Sequence, residues 1–145
     1  MNIKQIAAGI IIYDGKVLLG QRKKGKDLEF KWELPGGKLE EGETLPECLC
    51  RELIEELNRQ IVVKDFFMKT DYTYNFGHIV LNTFIAECTD PSITKTEAPQ
   101  ISHQCVVFKK HADRAKYLDY LLHKPDFFGL VFLRTVVAAY IKSLQ

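Results

Sequence analysis

The chain has 145 residues, of which 20 are basic and 19 acidic, and 46% of them are hydrophobic. This balance excludes the broad positive field that would draw the protein to nucleic acid or to an anionic membrane. No apolar run reaches the roughly 18 residues that a membrane span needs, and the N-terminus lacks the pattern of a cleaved signal peptide. We therefore expect one domain over residues 1–145, cytoplasmic, monomeric or homodimeric, with neither nucleic acid nor membrane as a partner.

The apolar patterns predict strands both before and after a central helix in the sequence. Two apolar runs joined by Asp14-Gly15 predict a β-hairpin, because this dipeptide suits a two-residue turn. Later segments are rich in β-branched and aromatic residues, and the C-terminal segment has apolar residues at helical spacing. The elements predicted there are strands at 66–76, 78–88 and 103–110, a short helical turn near 111–121 and a closing helix over 127–144.

The central helix is predicted over roughly 45 to 57. Thr44 and Glu47 have the spacing of a capping box, and Pro46 falls in the first turn, where a missing N–H costs little. Asn58 follows the last periodic residue, and asparagine tolerates the left-handed conformation that ends many helices. Both ends of the helix are therefore marked by local sequence.

The four cysteines predict reduced thiols. Their spacing matches neither a CxxC motif nor a zinc site, and one of them lies in an apolar, strand-like run. Small buried hydrophobic groups in a reducing compartment are the expected role. The four are Cys48, Cys50, Cys88 and Cys105.

One face of the central helix is acidic. Glu52, Glu55 and Glu56 project together, and the pair four residues apart destabilises an isolated helix by a few tenths of a kcal/mol. Arg51 can pair with Glu55 but cannot face all three carboxylates. A hard divalent cation with oxygen ligands would compensate them, Mg²⁺ above all if phosphates complete its coordination. A solvated acidic face is the alternative. The adjoining arc is predicted to be core and comprises Leu49, Leu53, Ile54 and Leu57.

The spacing of seven residues resembles the signature of the Nudix hydrolases. These residues are Gly37, then Glu43 after five residues, then Arg51-Glu52-Leu53 after seven, then Glu55-Glu56 after one. The approach "WELPGGK" also resembles MutT-type enzymes, and the similarity covers about the first 65 residues. It implies an α/β fold, an α/β/α sandwich with a mixed central sheet. It also implies hydrolysis of a nucleoside diphosphate linked to another group, with Mg²⁺ or Mn²⁺.

The resemblance implies a role for each matching residue. Glu52 would also orient or deprotonate the attacking water, and Arg51 would steady that carboxylate. Glu43 would support the junction of loop and helix, although a favourable N-terminal acid is an equally good reading. Arg22, in a segment that resembles MutT-type enzymes, would contact phosphate. The metal ligands implied are the carbonyl of Gly37 and the carboxylates of Glu52, Glu55 and Glu56.

The sequence departs from the family pattern in two places. Asn58-Arg59 replaces the usual glycine and aliphatic residue, and we expect the left-handed turn to survive, with Ile61 supplying the hydrophobic contact. Ser102-His103 stands where many MutT-like enzymes have a further glutamate. Glu97 is a candidate substitute, and an exposed loop glutamate is the alternative.

Candidates for the nucleobase site are apolar or aromatic, with one carboxylate. Leu34, Tyr72, Tyr74 and Phe76 would form an apolar slot, although the last three alternate like residues that cover a sheet face. Asp126 resembles the residue that relatives place against the base edge, and it also suits a helix N-cap. An aspartate there favours CTP or a modified dCTP as the substrate. An 8-oxo-dGTP hydrolase and a non-catalytic nucleotide-binding module are the alternatives.

Overall fold

A computed structural model gives the fold of most of the first 107 residues. Near the C-terminus it describes only isolated positions. Backbone alone is described at 16, 21, 22 and 101–107. The described residues are 3–13, 16–22, 24–25, 32–59, 61–75, 77–90, 101–107, 136, 138–140 and 142–143.

The described residues form one mixed sheet and one long helix. The sheet has seven strands, in the order β3-β2-β1-β6-β5, with β4 paired to β1 and β7 paired to β2. The bounds are β1 (Ile3–Tyr13), β2 (Lys16–Arg22), β3 (Trp32–Glu33), β4 (Gly36–Lys38), α1 (Leu45–Leu57), β5 (Val62–Tyr74), β6 (Gly77–Glu87) and β7 (Ile101–Val107).

Strand β1 lies at the centre of the sheet and sets the register of its neighbours. It runs antiparallel to β2 and β4 and parallel to β6. Tyr13 pairs with Lys16, so two residues connect β1 to β2 and the predicted hairpin is confirmed. The strands predicted at 66–76, 78–88 and 103–110 correspond to β5, β6 and β7. The mixed central sheet is likewise confirmed.

Each face of the sheet carries its own hydrophobic core. Successive residues of β1 point to opposite faces, so Ala7 and Ile11 pack under α1 while Ala8 and Ile10 pack on the other side. The second side also contains Val136, from the C-terminal helical residues. Helical structure therefore lies on both faces, which confirms the α/β/α sandwich.

Helix α1 buries one side against the sheet. Leu49, Leu53 and Leu57 are completely or almost completely buried, as predicted. Ile54 was predicted in the same arc but is 53% exposed, so that prediction is wrong. It lies at the edge of the apolar arc, where the helix surface has already turned away from the sheet. Cys48 is fully buried instead.

Both ends of α1 are capped as the sequence predicts. Thr44 and Glu47 form the reciprocal capping box, and Pro46 lies in the first turn. Asn58 adopts the left-handed conformation, with φ 51° and ψ 39°, and its N–H donates to the carbonyl of Ile54. Ile61 is 6% exposed and packs in the core under α1, so the altered helix end keeps its hydrophobic contact.

The C-terminal third is described only in part. Positions 136, 138–140 and 142–143 are helical, in agreement with the end of the helix predicted over 127–144. The short turn predicted near 111–121 lies outside the described residues. Cys48, Cys50 and Cys88 are free thiols, as expected; Cys48 and Cys88 are buried, whereas Cys50 is only partly buried and departs from the prediction. In the described part of the chain no helix is long and apolar enough to cross a membrane.

The left-handed conformation of Asn58 generates a test of stability. Asn58→Ala should lower the free energy of unfolding by about 1 kcal/mol, because a Cβ without a compensating polar group disfavours positive φ. Asn58→Gly should be neutral or stabilising. Urea unfolding measures both. Asn75→Ala, at an exposed turn, is the matched control, and equal effects at positions 58 and 75 would contradict the reasoning.

Candidate active site

The Arg51 guanidinium joins the loop before α1 to the acidic face of the helix. Its Nε and Nη2 donate to the two carboxylate oxygens of Glu43, at 3.0 and 2.8 Å. Nη1 donates to Glu52 at 2.9 Å and lies 3.4 Å from Glu55. Nη2 also donates to the carbonyl of Lys38 at 3.1 Å. One cation therefore compensates several carboxylates, while Glu56 is not among them.

Glu43 is held as an ionised carboxylate. The two hydrogen bonds from Arg51, and a third from the N–H of Glu40 at 2.9 Å, lower the pKa of Glu43 to about 2. The same pairing raises the pKa of Arg51. A bidentate pair fixes both partners in position as well as in charge. Glu43 therefore supports the junction of loop and helix, one of the two roles weighed from the sequence.

Glu52 lies beneath the glycine loop with little room around it. A Cβ at Gly37 would overlap the Glu52 carboxylate, so glycine lets the loop lie against this carboxylate without displacing it. Gly37 is held there by pairing with Ala7 in the sheet. Burial raises the pKa of Glu52, and the hydrogen bond from Arg51 opposes that rise. The backbone of the loop and the carboxylate therefore meet at one point.

Glu56 is the buried carboxylate of the acidic face. It lies about 20° from Leu49 in helical projection, so it turns towards the sheet rather than into solvent. Burial raises the pKa of Glu56 to about 8, with further contributions from the carboxylates of Glu52 and Glu33. Its Oε2 is buried and has no hydrogen-bond partner among the described residues. A buried carboxylate oxygen in this state is costly unless something positive binds it.

Cys48 adds a contact that the sequence did not predict. Its thiol donates to the carbonyl of Gly37 at 3.6 Å, and burial raises the pKa of the thiol to about 11. The thiol is therefore neutral at physiological pH. Cys48 lies four residues before Glu52 in α1, which places it beside the acidic face. The register of β4 then brings the loop over it.

The oxygen groups of this site suit a hard divalent cation in chemistry. Carboxylates and a backbone carbonyl are the ligands that Mg²⁺ and Mn²⁺ prefer, and the unpaired Oε2 of Glu56 offers a free lone pair. Among the residues that the structure describes, no three acidic, histidine or cysteine side chains already converge on one point. Arg51 holds Glu52 and Glu55 towards itself instead. The donor set fits, and its convergence would require these two side chains to turn.

The structure describes some of the predicted substrate-binding residues and leaves others outside its described part. Leu34 is 5% exposed and belongs to the core opposite α1, where Tyr74 packs against it. Tyr72 is 47% exposed, and its ring lies 4.7 Å from that of Tyr74. Arg22 ends β2 opposite Ile101, and only its backbone is described. Phe76, Glu97 and Asp126 lie outside the described residues.

Two named enzymes are similar in sequence to part of the chain. CTP pyrophosphohydrolase of Escherichia coli is 41% identical over 66 residues, which are 46% of this chain and 49% of the relative. The match therefore spans about half the length of that protein. 8-oxo-dGTP diphosphatase of Haemophilus influenzae is 35% identical over 92 residues, 59% of this chain and 68% of the relative.

The fold and a family model show similarity over most of the chain. A NUDIX hydrolase from Nitrosomonas europaea superposes with a TM-score of 0.72 at 20% identity, covering 99% of this chain and 72% of that one, so it shows the fold alone. The sequence model of the NUDIX domain matches residues 3–118. This match takes in β1, the glycine loop, the acidic helix and the strands that position them. The chain therefore belongs to the NUDIX domain family.

Proposed function

We propose that the protein is a metal-dependent nucleoside triphosphate pyrophosphohydrolase. It would cleave the bond between the α and β phosphates and release a nucleoside monophosphate and pyrophosphate. The observation that carries this proposal is the buried carboxylate of Glu56. Its Oε2 lacks a partner in the described part of the chain, and it lies beside Glu52 at the glycine loop. Such a group has a physical reason to persist if a cation and a polyphosphate bind there.

Four oxygen donors would hold the cation. The ion would be Mg²⁺, with Mn²⁺ as the alternative, since both prefer oxygen ligands. When bound, a divalent ion lowers the pKa of its water and neutralises charge on the phosphates. The proposed ligands are the carbonyl of Gly37 and the carboxylates of Glu52, Glu55 and Glu56.

Glu52 would orient or deprotonate the attacking water. Its carboxylate is largely shielded from solvent, and burial raises its pKa towards the range useful to a general base. The hydrogen bond from Arg51 at 2.9 Å engages Oε1 of Glu52 and leaves its second oxygen, Oε2, without this donor. Arg51 would therefore fix the direction in which Glu52 accepts a proton.

Glu43 would act through Arg51 rather than on the substrate. Its two hydrogen bonds hold the guanidinium plane, and that plane in turn holds Glu52. The carbonyl of Lys38 accepts from the same guanidinium, so the loop and the base share one support. Glu43 is therefore a positioning residue in this proposal.

A nucleotide base would lie against the sheet face opposite α1. Leu34 and Tyr74 pack on this face, and Tyr72 beside them is half exposed. Arg22 would contact phosphate and Asp126 the base edge, as the sequence resemblance implies. CTP or a modified dCTP is the favoured substrate, supported by the similarity to a protein named CTP pyrophosphohydrolase. The cytoplasmic location and the monomeric or homodimeric state stay predictions.

A second candidate is a hydrolase of oxidised purine nucleotides. The similarity to a protein named 8-oxo-dGTP diphosphatase favours it, since that match is longer than the one to the CTP enzyme. A panel of CTP, dCTP, 5-methyl-dCTP, dGTP and 8-oxo-dGTP, with pyrophosphate measured as product, separates the two candidates. Binding of nucleotide without turnover in Mg²⁺ and Mn²⁺ would instead identify a non-catalytic module.

Removal of the proposed general base, Glu52, should greatly reduce turnover. Glu52→Gln keeps the shape of the side chain but cannot accept a proton as a carboxylate does, so we expect kcat to fall by about 10²- to 10⁴-fold. Pyrophosphate release from the best substrate of the panel measures it. Glu47→Gln is the matched control, because glutamine also completes a capping box. Unchanged turnover in Glu52→Gln would defeat the assignment of roles.

Replacement of Glu56 should remove most of the stabilisation that the protein gains on binding metal. Glu56→Gln should be at least as stable as the wild type at pH 7 without metal, because the buried Glu56 must take up a proton when the protein folds and an amide need not. A ligand at a hundredfold excess over its Kd stabilises a protein by about 2.7 kcal/mol, and the variant should lose most of that gain. Thermal unfolding with and without Mg²⁺ measures the difference. An equal metal-induced rise in Tm for both proteins would contradict the ligand role.

The Glu43–Arg51 pair should make the protein less stable as the pH falls. The folded pKa of Glu43, about 2, lies below its ordinary value near 4.5, so its contribution is complete above about 4.5 and is lost as the pH falls towards 2. Glu43→Gln should therefore be less stable than the wild type at pH 7, with a smaller difference at pH 3. Urea unfolding at both pH values measures this, with exposed Glu41→Gln as control. A constant difference would show that the pair is not responsible.

A further inference from the structure

Two buried threonine hydroxyls lie on the sheet face opposite α1. The Oγ1 atoms of Thr70 and Thr83 are both buried, and neither has a hydrogen-bond partner among the residues that the structure describes. Thr83 is completely buried as a residue, and Thr70 is half-buried. The acidic site described above does not use either of them.

The register of β5 and β6 places the two hydroxyls together. Thr83 alternates with Leu81 and Ile85, which belong to the core opposite α1, so it faces the same side. Thr83 pairs with Met68 and Leu81 pairs with Thr70, which makes the threonines diagonal neighbours on one face. Diagonal neighbours have Cα atoms about 7–8 Å apart and side chains somewhat closer. The two hydroxyls are therefore close enough for one small planar ligand to contact both once it enters this buried face.

These hydroxyls are costly in a face that is largely apolar. A buried hydroxyl without a partner costs about 1–3 kcal/mol, whereas valine has nearly the same shape and suits a strand equally well. A partner that is absent from the free protein, and that carries both donors and acceptors, would remove this cost. A threonine hydroxyl donates one hydrogen bond and accepts others, so it matches the edge of a nucleobase.

The position of Thr83 relative to the acidic site suits a nucleotide. Thr83 pairs with Ala8 of β1, and Ala8 pairs with Gly36 of β4 on the other side. Two strand spacings put Thr83 about 10 Å from Gly36, whose N–H donates to the Glu56 carboxylate. The sugar of a nucleotide would bridge this separation, with the phosphates at the glycine loop.

Exposure decreases from the C-terminal end of β5 towards the row that contains Thr83. Tyr72 is 47% exposed, Thr70 in the next row is half-buried, and Thr83 in the row beyond is fully buried. Tyr72 pairs with Ile79, on the same face as the two threonines. An aromatic ring at the open end offers a stacking surface, and the hydroxyls lie further in.

We propose that Thr70 and Thr83 are specificity-determining residues that bind the nucleobase through their hydroxyls. This inference rests on the proposed function. Two hydroxyls on one face would read the pattern of carbonyl oxygens, ring nitrogens and amino groups along one base edge, which an apolar slot cannot do. Their contribution is made equally in the ground state and in the transition state, so it belongs to KM rather than to kcat.

The test removes each hydroxyl and keeps the side-chain shape. For Thr70→Val and Thr83→Val, we expect KM for the best nucleotide of the panel to rise about threefold to tenfold, with kcat within twofold. Affinity for tripolyphosphate, which has no base, should not change in calorimetry. The Tm of each variant should equal or exceed that of the wild type, because an unpaired hydroxyl has been removed. Thr70→Ser and Thr83→Ser keep the hydroxyl, so they should bind the nucleotide much more tightly than the valine variants do.

Thr73→Val is the matched control. Thr73 lies on the same strand but on the opposite face, where its hydroxyl is 2.7 Å from Nδ1 of His78, so nucleotide affinity should not change. Unchanged KM in both valine variants would overturn the inference while wild-type turnover still supported the proposed function. A drop in Tm with unchanged KM would overturn it too, by showing a structural partner. If the wild type binds nucleotide without turnover, the same comparison is made on Kd; if it binds none, both proposals fail.

Discussion

The structure depends on compensating several carboxylates crowded around the start and one face of a single helix. Arg51 compensates Glu43, Glu52 and Glu55 with one guanidinium, and its geometry matches two oxygens of Glu43 at once. A bidentate arginine pair is strong because charge and direction act together. Glu56 is left with a buried oxygen that the described residues do not satisfy. The site is therefore electrostatically incomplete, and that incompleteness is the physical basis of the proposal that a metal ion and a polyphosphate bind there.

The sheet converts this helix into a site by bringing backbone against side chain. Gly37 pairs with Ala7 in the central strand, and the absence of a side chain lets the loop lie directly on Glu52. Leu39 donates to the carbonyl of Gln5, which fastens the loop to the same strand further along. The position of the loop is thus fixed by β1 on one side and by Arg51 on the other. Neither contact alone would set the distance between carbonyl and carboxylate.

Local patterns predicted the helix and its caps well, because their causes are local. Thr44, Glu47 and Asn58 act on groups within four residues of themselves, so their effects can be read from spacing. The predictions were less accurate where a strand distant in sequence determines the burial or the contacts of a side chain. Ile54 was assigned to the core from its angle but lies beyond the reach of the sheet, and the burial of Glu56 depends on where the sheet begins to cover α1. The contact of Cys48 with Gly37, and the facing of Thr70 and Thr83, depend on register between strands far apart in sequence. Periodicity cannot supply such register.

Cys48 gives the loop a chemical reporter that the protein already carries. A thiol reacts with alkylating reagents as its thiolate and only when a reagent can reach it, and this thiol is both protonated and covered by the carbonyl of Gly37. Its modification therefore requires a local opening that uncovers the thiol, such as movement of the loop. The rate of that modification would measure the free energy of local opening, and ligands that clamp the loop would slow it in proportion to how tightly they hold.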